Sequence, residues 1–125
     1  MDHDGVLAWV GDYERAWRDG NVYAVERLFS PGVRCHRSPY EPDDVGHDGV
    51  KAFWLEDDGQ TFTMEARVVA VEGKTAVVRV LVHYLAPTRQ EYTDIWVLRF
   101  HDDGRVDDFE EWACWPGKPL TAKDH

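Results

Sequence analysis

Three side chains of this sequence are of types that move protons in enzymes: Tyr13, His36 and Asp94. A neutral imidazole can remove a proton from the carbon beside a carbonyl near pH 7, and its conjugate acid can return that proton. A carboxyl group buried among aromatic rings acquires a raised pKa and can act in the same way. A tyrosine hydroxyl can donate a hydrogen bond to the enolate oxygen that develops. These residue types together point to acid–base chemistry on a carbonyl compound.

Each of these residues also has a purely structural interpretation. His36 would then be a hydrogen-bonded histidine at the end of a strand. Asp94 would be an ordinary carboxylate, paired with Arg79 or a nearby histidine. Tyr13 would be an aromatic residue on a helix face, with its hydroxyl group at the surface.

Other kinds of catalysis have no motif in the sequence. It contains no HExxH or HxxxH spacing, no GxSxG elbow and no glycine-rich phosphate loop. His36, His83, Asp94 and Glu111 would supply two imidazoles and two carboxylates, but nothing in their spacing requires a metal. We therefore expect no metal and no cofactor.

Charge restricts the partners. The chain has 125 residues and a net charge of −10, which repels phosphate backbones and anionic membranes. We therefore expect no nucleic acid and no membrane partner, although the charge also has a simpler role in solubility. The acidic N-terminus does not resemble a signal peptide. Cys35 and Cys114 are far apart in sequence, and a cytoplasmic protein with reduced thiols is the expected case, with a disulfide as the alternative.

Helical and extended patterns follow one another along the chain. Apolar spacing predicts helices over residues 6–18 and 22–29 and, capped by Asp48, over residues 49–55. Alternation and β-branched residues predict strands over 33–37, 61–71, 75–85, 91–101 and 105–115. The turns between the last four contain Gly73, Pro87 and Gly104 in that order. Helices followed by an antiparallel meander predict an α+β domain.

The strand over residues 75–85 carries apolar side chains on both of its faces. Both faces are therefore expected to be covered. The helices can cover only one face, so a second copy of the chain is the simplest cover for the other. The alternatives are a partly exposed apolar face and a cover supplied by the C-terminal tail.

Three segments resemble the nuclear transport factor two-like superfamily, which includes SnoaL-like and ketosteroid isomerase-like domains. These are AWRDGNVYAVERLFSPGVRCH, VGHDGVKAFW and LRFHDDGRVDDFEEW, in that order. The resemblance implies one domain over residues 1–125, with its core at about 5–116. It also implies a cone-shaped, curved antiparallel sheet wrapped around three N-terminal helices and enclosing a pocket. This fold hosts isomerases, dehydratases, polyketide cyclases, epoxide hydrolases and non-catalytic binders.

The resemblance to ketosteroid isomerases also implies roles for individual residues. It places Tyr13 at the tyrosine of the oxyanion hole, His36 at the catalytic base and Trp96 where a second acid stands. Asp94 would orient a histidine or act as acid or base itself. The alignment turns one set of strand residues toward the helices: Arg79, Leu81, His83, Tyr92, Asp94, Trp96, Leu98, Phe109 and Glu111. The opposite set would form a homodimer interface: Val78, Val80, Val82, Ile95 and Val97.

The function expected from this resemblance is cofactor-independent proton transfer on a small, mainly apolar carbonyl compound. The chain would be an isomerase, a dehydratase or a polyketide cyclase-like lyase. Its catalytic residues would be Tyr13, His36 and Asp94, and the expected ligand contacts are Trp17, Trp54, Arg79, His83, Trp96, Phe109 and Glu111. The alternative is a non-catalytic ligand-binding or dimerisation module, favoured by Trp96 in place of an acid.

Overall fold

The structure is a computed structural model that describes residues 1–56 and 59–117. Its helices are α1 (His3–Arg18), a 3-10 turn (Val22–Ala24) that continues into α2 (Val25–Leu28), and α3 (Gly46–Leu55). Asp2 caps α1 by accepting a hydrogen bond from the Gly5 amide at 2.8 Å. Gly20 follows α1 with φ +61°, in the left-handed conformation expected of it at this position.

The strands form one curved sheet that does not close. They are β1 (Phe29–His36), β2 (Asp44–Val45), β3 (Thr61–Glu72), β4 (Thr75–Ala86), β5 (Gln90–Phe100) and β6 (Val106–Cys114). Their order is β2-β1-β6-β5-β4-β3. The predicted α+β class and the meander from β3 to β6 are confirmed. The sheet is mixed because β1 runs parallel to β6, and the short strand β2 was not predicted.

The start of α3 differs from its prediction. The helix begins at Gly46, three residues before Gly49, and Val45 rather than Asp48 is the residue at its N-cap. Gly46 turns the chain from β2 into the helix with φ +76°, a conformation that favours glycine. His47 then contacts the Phe29 carbonyl oxygen through Nε2 at 2.8 Å. The helix is thus tied to the start of β1.

The predicted facing of β4 is wrong by one residue. Val78, Val80 and Val82 are buried at 0%, 0% and 3% exposure, whereas Arg79 and His83 are exposed. Val78 lies directly opposite Trp96 and Val80 opposite Asp94 in the β4–β5 pairing, so these valines share the inner face with the β5 residues. Residues Arg79, Leu81 and His83 are on the outer face, where Arg79 pairs with Ile95.

The inner face of β5 and β6 agrees with the prediction. Asp94, Trp96, Leu98 and Phe109 are all buried at 5% exposure or less. The rings of Trp96 and Phe109 pack against Tyr13 of α1, with centroids 5.0 and 5.9 Å away. Such ring contacts contribute stability beyond the area they bury. Helix α1 therefore lies across the concave face of the sheet, with Tyr13 at its centre.

Candidate functional site

A cavity of about 210 Å³ lies between α1, α3 and the inner face of β4, β5 and β6. Half of its twelve lining residues are aromatic and four are charged, and aromatic walls with convergent polar groups are usual for small-molecule sites. Arg37 and Glu56 are the exposed members of the lining and therefore mark its mouth. The lining residues are Tyr13, Trp17, Arg37, Phe53, Glu56, Val82, Tyr84, Tyr92, Asp94, Trp96, Glu111 and Ala113.

Asp94 is the most unusual group in this cavity. Asp94 lies on β5 directly opposite Val80 of β4, and the residue is only 5% exposed. Its Oδ1 atom is buried without a hydrogen-bond partner in the described chain, and so is Nε1 of Trp96. Burial raises the pKa of Asp94 to about 7, against the opposing influence of the nearby Trp96 indole. The carboxyl group can therefore gain and lose a proton near neutral pH.

Tyr13 of α1 lines the same cavity. The residue is 2% exposed, and its pKa lies well above the usual value because of burial and, next, the negative charge of Glu111. A hydroxyl group with so high a pKa remains protonated and can donate a hydrogen bond. Tyr13 and Asp94 thus supply a donor and a titrating carboxyl group to one cavity.

Arg37 closes one side of the mouth. Its guanidinium group donates to Asp44 at 3.2 Å and to Glu56 at 2.8 Å, and it lies 4.6 Å from the centre of the Phe53 ring. Desolvation acts against its charge, but the two carboxylates outweigh it and raise the pKa of Arg37. Three lining residues were not predicted as site residues: Arg37, Phe53 and Glu56. Arg37 follows β1, and the other two lie at the end of α3. At these positions the alternation of a strand does not show which way a side chain points.

The remaining expected ligand contacts fall into two groups. Trp17, Trp96 and Glu111 line the cavity. Trp54 and Phe109 lie behind it, where they pack on Tyr13 with ring centroids 5.2 and 5.9 Å away.

Arg79 and His83 are on the outer face of β4, remote from the cavity. His83 is 3.3 Å from Glu91 there. These two residues are therefore corrected from the inner to the outer face.

His36 does not share the cavity with Tyr13 and Asp94. On β1, Val33 and Cys35 are buried, so the alternating residues Arg34 and His36 point to the outer face. His36 contacts Asp43 through Nδ1 at 2.7 Å and Asp108 through Nε2 at 2.9 Å. The hydrogen bond to Asp108 raises the pKa of His36. Desolvation opposes this shift, and the hydrogen bond to Asp43 adds to it. This is the arrangement expected of a hydrogen-bonded histidine at a strand end.

His36→Gln is expected to make the stability of the protein less dependent on pH. The pKa of His36 is raised in the folded state, so its contribution is complete below its unfolded pKa, about 6.5, and is lost as pH rises through the folded value. Urea unfolding at pH 6 should show a loss on the order of 1 kcal/mol, and the loss should shrink by pH 9. His83→Gln is the control, because His83 is exposed. An equal loss at both pH values would mean that the contacts of His36 with Asp43 and Asp108 do not depend on its charge.

Within residues 1–56 and 59–117, no group of three or more His, Cys, Asp or Glu side chains is arranged to hold a metal ion. Cys35 and Cys114 are both free thiols. None of the helices in the described ranges is long and apolar enough to cross a membrane.

Comparisons with known proteins agree with this architecture. A family model for the SnoaL-like domain matches residues 10–109. SalBIII, an epoxide hydrolase/cyclase-like enzyme in pyran ring formation in the polyether salinomycin, is 18% identical with a TM-score of 0.76, covering 90% of this chain and 93% of SalBIII. A putative polyketide cyclase from Sinorhizobium meliloti is 19% identical with a TM-score of 0.66, covering 84% of this chain and 94% of that one.

A third similar structure is the CaMKII hub of S. rosetta. It is 20% identical with a TM-score of 0.65, covering 89% of this chain and 95% of the hub. No curated protein matches the sequence significantly. At these identities the structural likeness shows the fold alone.

Proposed function

Because the chain belongs to the family of SnoaL-like domains, we propose that it is a cofactor-independent enzyme of proton transfer on a small carbonyl compound. The observation that carries the proposal is Asp94, a carboxyl group 5% exposed in an aromatic cavity, with a pKa of about 7 and an oxygen that has no partner in the described chain. Groups with such strongly shifted pKa values are concentrated at functional sites.

Asp94 acts as the base in the proposed reaction. Its ionised carboxylate takes a proton from the carbon beside the carbonyl, and the electron pair of the broken C–H bond moves to the carbonyl oxygen as an enolate forms. The Tyr13 hydroxyl and the Trp96 indole N–H, which has no partner in the described chain, are available to donate to that oxygen. Protonated Asp94 then returns the proton to another carbon, which gives an isomer, or to a leaving hydroxyl, which gives an alkene and water.

The cavity limits the size of the substrate. Its volume of about 210 Å³ is below the roughly 300 Å³ at which sites for drug-sized ligands begin. A compact ketone of one ring fits this space, whereas a steroid does not.

Deuterium exchange tests this proposal without knowledge of the natural substrate. Phenylacetone is incubated with the protein in D₂O, and loss of the proton signal beside its carbonyl is followed by NMR. Catalysed exchange that rises as pH passes through about 7 supports Asp94 as the base, because only its ionised form accepts a proton. Exchange no faster than in buffer across a series of small ketones would argue for a binding role instead.

We also propose that the chain forms a homodimer through the outer face of the sheet. The correction of β4 changes the interface, because Val78, Val80 and Val82 are buried in the core. Ile95 and Val97 remain on the outer face, half-buried, together with Val77 and Leu81. Trp112 of β6 lies opposite Ile95 and is 49% exposed. This partly apolar surface is suited to contact with a second copy.

Ile95→Lys is expected to convert the dimer to a monomer. A lysine there would place an unpaired charge in the interface without entering the core. Sedimentation velocity at micromolar concentration should show the wild type as a dimer and the variant as a folded monomer. Arg99→Lys, at an exposed site further along β5, is the control and should leave the dimer intact. A wild-type monomer under these conditions would refute the interface.

A further inference from the structure

Two polar atoms are buried without a hydrogen-bond partner in residues that line the same cavity. Within the described chain, four side chains bury such an atom, and Asp94 and Trp96 are the two of these that line the cavity. They are 5% and 1% exposed. The atom of Asp94 is the carboxyl oxygen Oδ1, which accepts hydrogen bonds when the group is ionised, and the atom of Trp96 is the indole Nε1, which donates one. Burial of unpaired polar groups is unfavourable, so a ligand that pairs with both atoms gains binding energy.

The strand β5 places this acceptor and this donor side by side. Asp94 and Trp96 are two residues apart on β5 and both are buried, so they share the inner face of the sheet. The two groups are close together, because the Trp96 indole lowers the pKa of the Asp94 carboxyl group against the larger, opposite effect of burial. A ligand that satisfies both must therefore carry a donor and an acceptor near one another. A simple ketone carries the acceptor alone.

From this pairing we infer that the cavity takes an α-hydroxy ketone, whose hydroxyl group donates to Asp94 and whose carbonyl oxygen accepts from Trp96. The inference rests on the proposed function, because it uses the same cavity and the same base. The α position is favoured over more distant ones because the carbon that carries the hydroxyl group is then the carbon that loses its proton. Oδ1 of Asp94 accepts the hydroxyl group, and the other carboxylate oxygen is left to take that proton.

The reaction of such a substrate is an exchange of places between its hydroxyl and carbonyl groups. Asp94 removes the proton from the hydroxyl-bearing carbon, and the electron pair of the broken C–H bond forms a C=C bond while the carbonyl oxygen becomes an enediolate oxygen. The hydroxyl proton passes to this neighbouring oxygen. The electron pair of the C=C bond then takes the proton back from Asp94 at the former carbonyl carbon. One C–H bond breaks and one forms, so the step needs no oxidant or reductant.

Two unreactive ketones of nearly the same shape test the binding. In 2-hydroxy-2-methyl-1-phenylpropan-1-one a hydroxyl group stands where 2,2-dimethyl-1-phenylpropan-1-one has a methyl group, and neither has a proton on that carbon. Calorimetric titration at pH 8, where Asp94 with its pKa of about 7 is mostly ionised, should show the hydroxy ketone binding at least about tenfold more tightly, as expected for a hydrogen bond to a charged group. At pH 6, where the carboxyl group is mostly protonated, this preference should fall to about threefold or less.

Variants and a reactive substrate complete the test. Asp94→Asn should make the preference equal at the two pH values, and Asp107→Asn, a change outside the cavity lining, should leave the wild-type pattern intact. Turnover is measured with 1-hydroxy-1-phenylpropan-2-one, which is phenylacetone with a hydroxyl group between the ring and the carbonyl. Its product, 2-hydroxy-1-phenylpropan-1-one, is a conjugated ketone that is followed by its ultraviolet absorption.

The outcomes separate this inference from the proposed reaction. Preference for the hydroxy ketone at pH 8, with no turnover and no exchange of any ketone, supports the ligand class and overturns the reaction. Exchange of phenylacetone without that preference, or without turnover of the hydroxy ketone, overturns the ligand class and leaves the reaction standing. A preference that is the same at pH 6 and pH 8, or no binding at millimolar concentration, also overturns the ligand class. The comparison on the wild-type protein stands even where the Asp94 variant fails to fold.

Discussion

Asp94→Asn is expected to reduce the rate of proton exchange by about 10²–10⁴-fold, the usual contribution of one general base. Asparagine has nearly the same shape but cannot accept a proton, so the cavity is preserved while the chemistry is removed. The measurement is the rate of deuterium uptake by phenylacetone in D₂O, compared with the wild type at pH 8, where Asp94 with its pKa of about 7 is mostly ionised.

Asp107→Asn is the matched control for this experiment, because Asp107 is a half-buried residue of β6 that does not line the cavity. It should exchange ketone protons at the wild-type rate. His36→Gln should also keep nearly full activity, since His36 lies on the outer face. If His36→Gln abolished exchange while Asp94→Asn did not, the base would have been assigned to the wrong residue.

Val78→Asp is expected to destabilise the protein by about 3–5 kcal/mol, the range for a charge buried without a partner. Val78 is 0% exposed on the inner face of β4, opposite Trp96. The facing expected from the sequence would place Val78 on the outer face of the sheet. An aspartate there would change the free energy of unfolding of the subunit little. Chemical unfolding, or loss of folded protein on expression, measures the effect.

Val69→Asp provides the matched control for the facing of β4. Val69 is 53% exposed at the irregular pairing of β3, so the identical substitution should change the free energy of unfolding by less than about 0.5 kcal/mol. Equal losses in the two variants would mean that burial does not explain the effect. A fully stable Val78→Asp protein would restore the opposite facing of β4.

The elements were predictable from the sequence where turn residues and alternation agreed. Gly73 lies in the turn between β3 and β4, and Gly104 lies in the turn between β5 and β6, with φ +58° and +87°. Both hairpins are at the positions that these glycines predicted. The inward face of β5 was implied by the resemblance and agrees with the structure. The same resemblance gave the wrong face for β4, where apolar residues occupy both faces and alternation alone cannot choose between them.

The site was predictable only in part. Tyr13 lies on α1, whose apolar spacing defines an inner face, whereas Asp94 and Trp96 lie on β5, whose inward face was implied by the resemblance. His36 was placed inward by the resemblance, although Val33 and Cys35 alternate with it and are apolar, which is a signal for the outward facing observed. Arg37 lies just beyond the end of β1, where the chain leaves the strand and its direction depends on tertiary contacts with Asp44 and Glu56.

Inside the cavity, the carboxyl group of Asp94 is expected to gain and lose its proton at neutral pH. The direct test is a pH titration of its side-chain carboxyl carbon by ¹³C NMR in the free protein, with Asp94→Asn used to assign the signal. The structure predicts a midpoint at about pH 7, because burial raises the pKa of this group. A midpoint near 4, the ordinary value for aspartate, would rule out Asp94 as the base, since the carboxyl group would then be permanently ionised and only weakly basic.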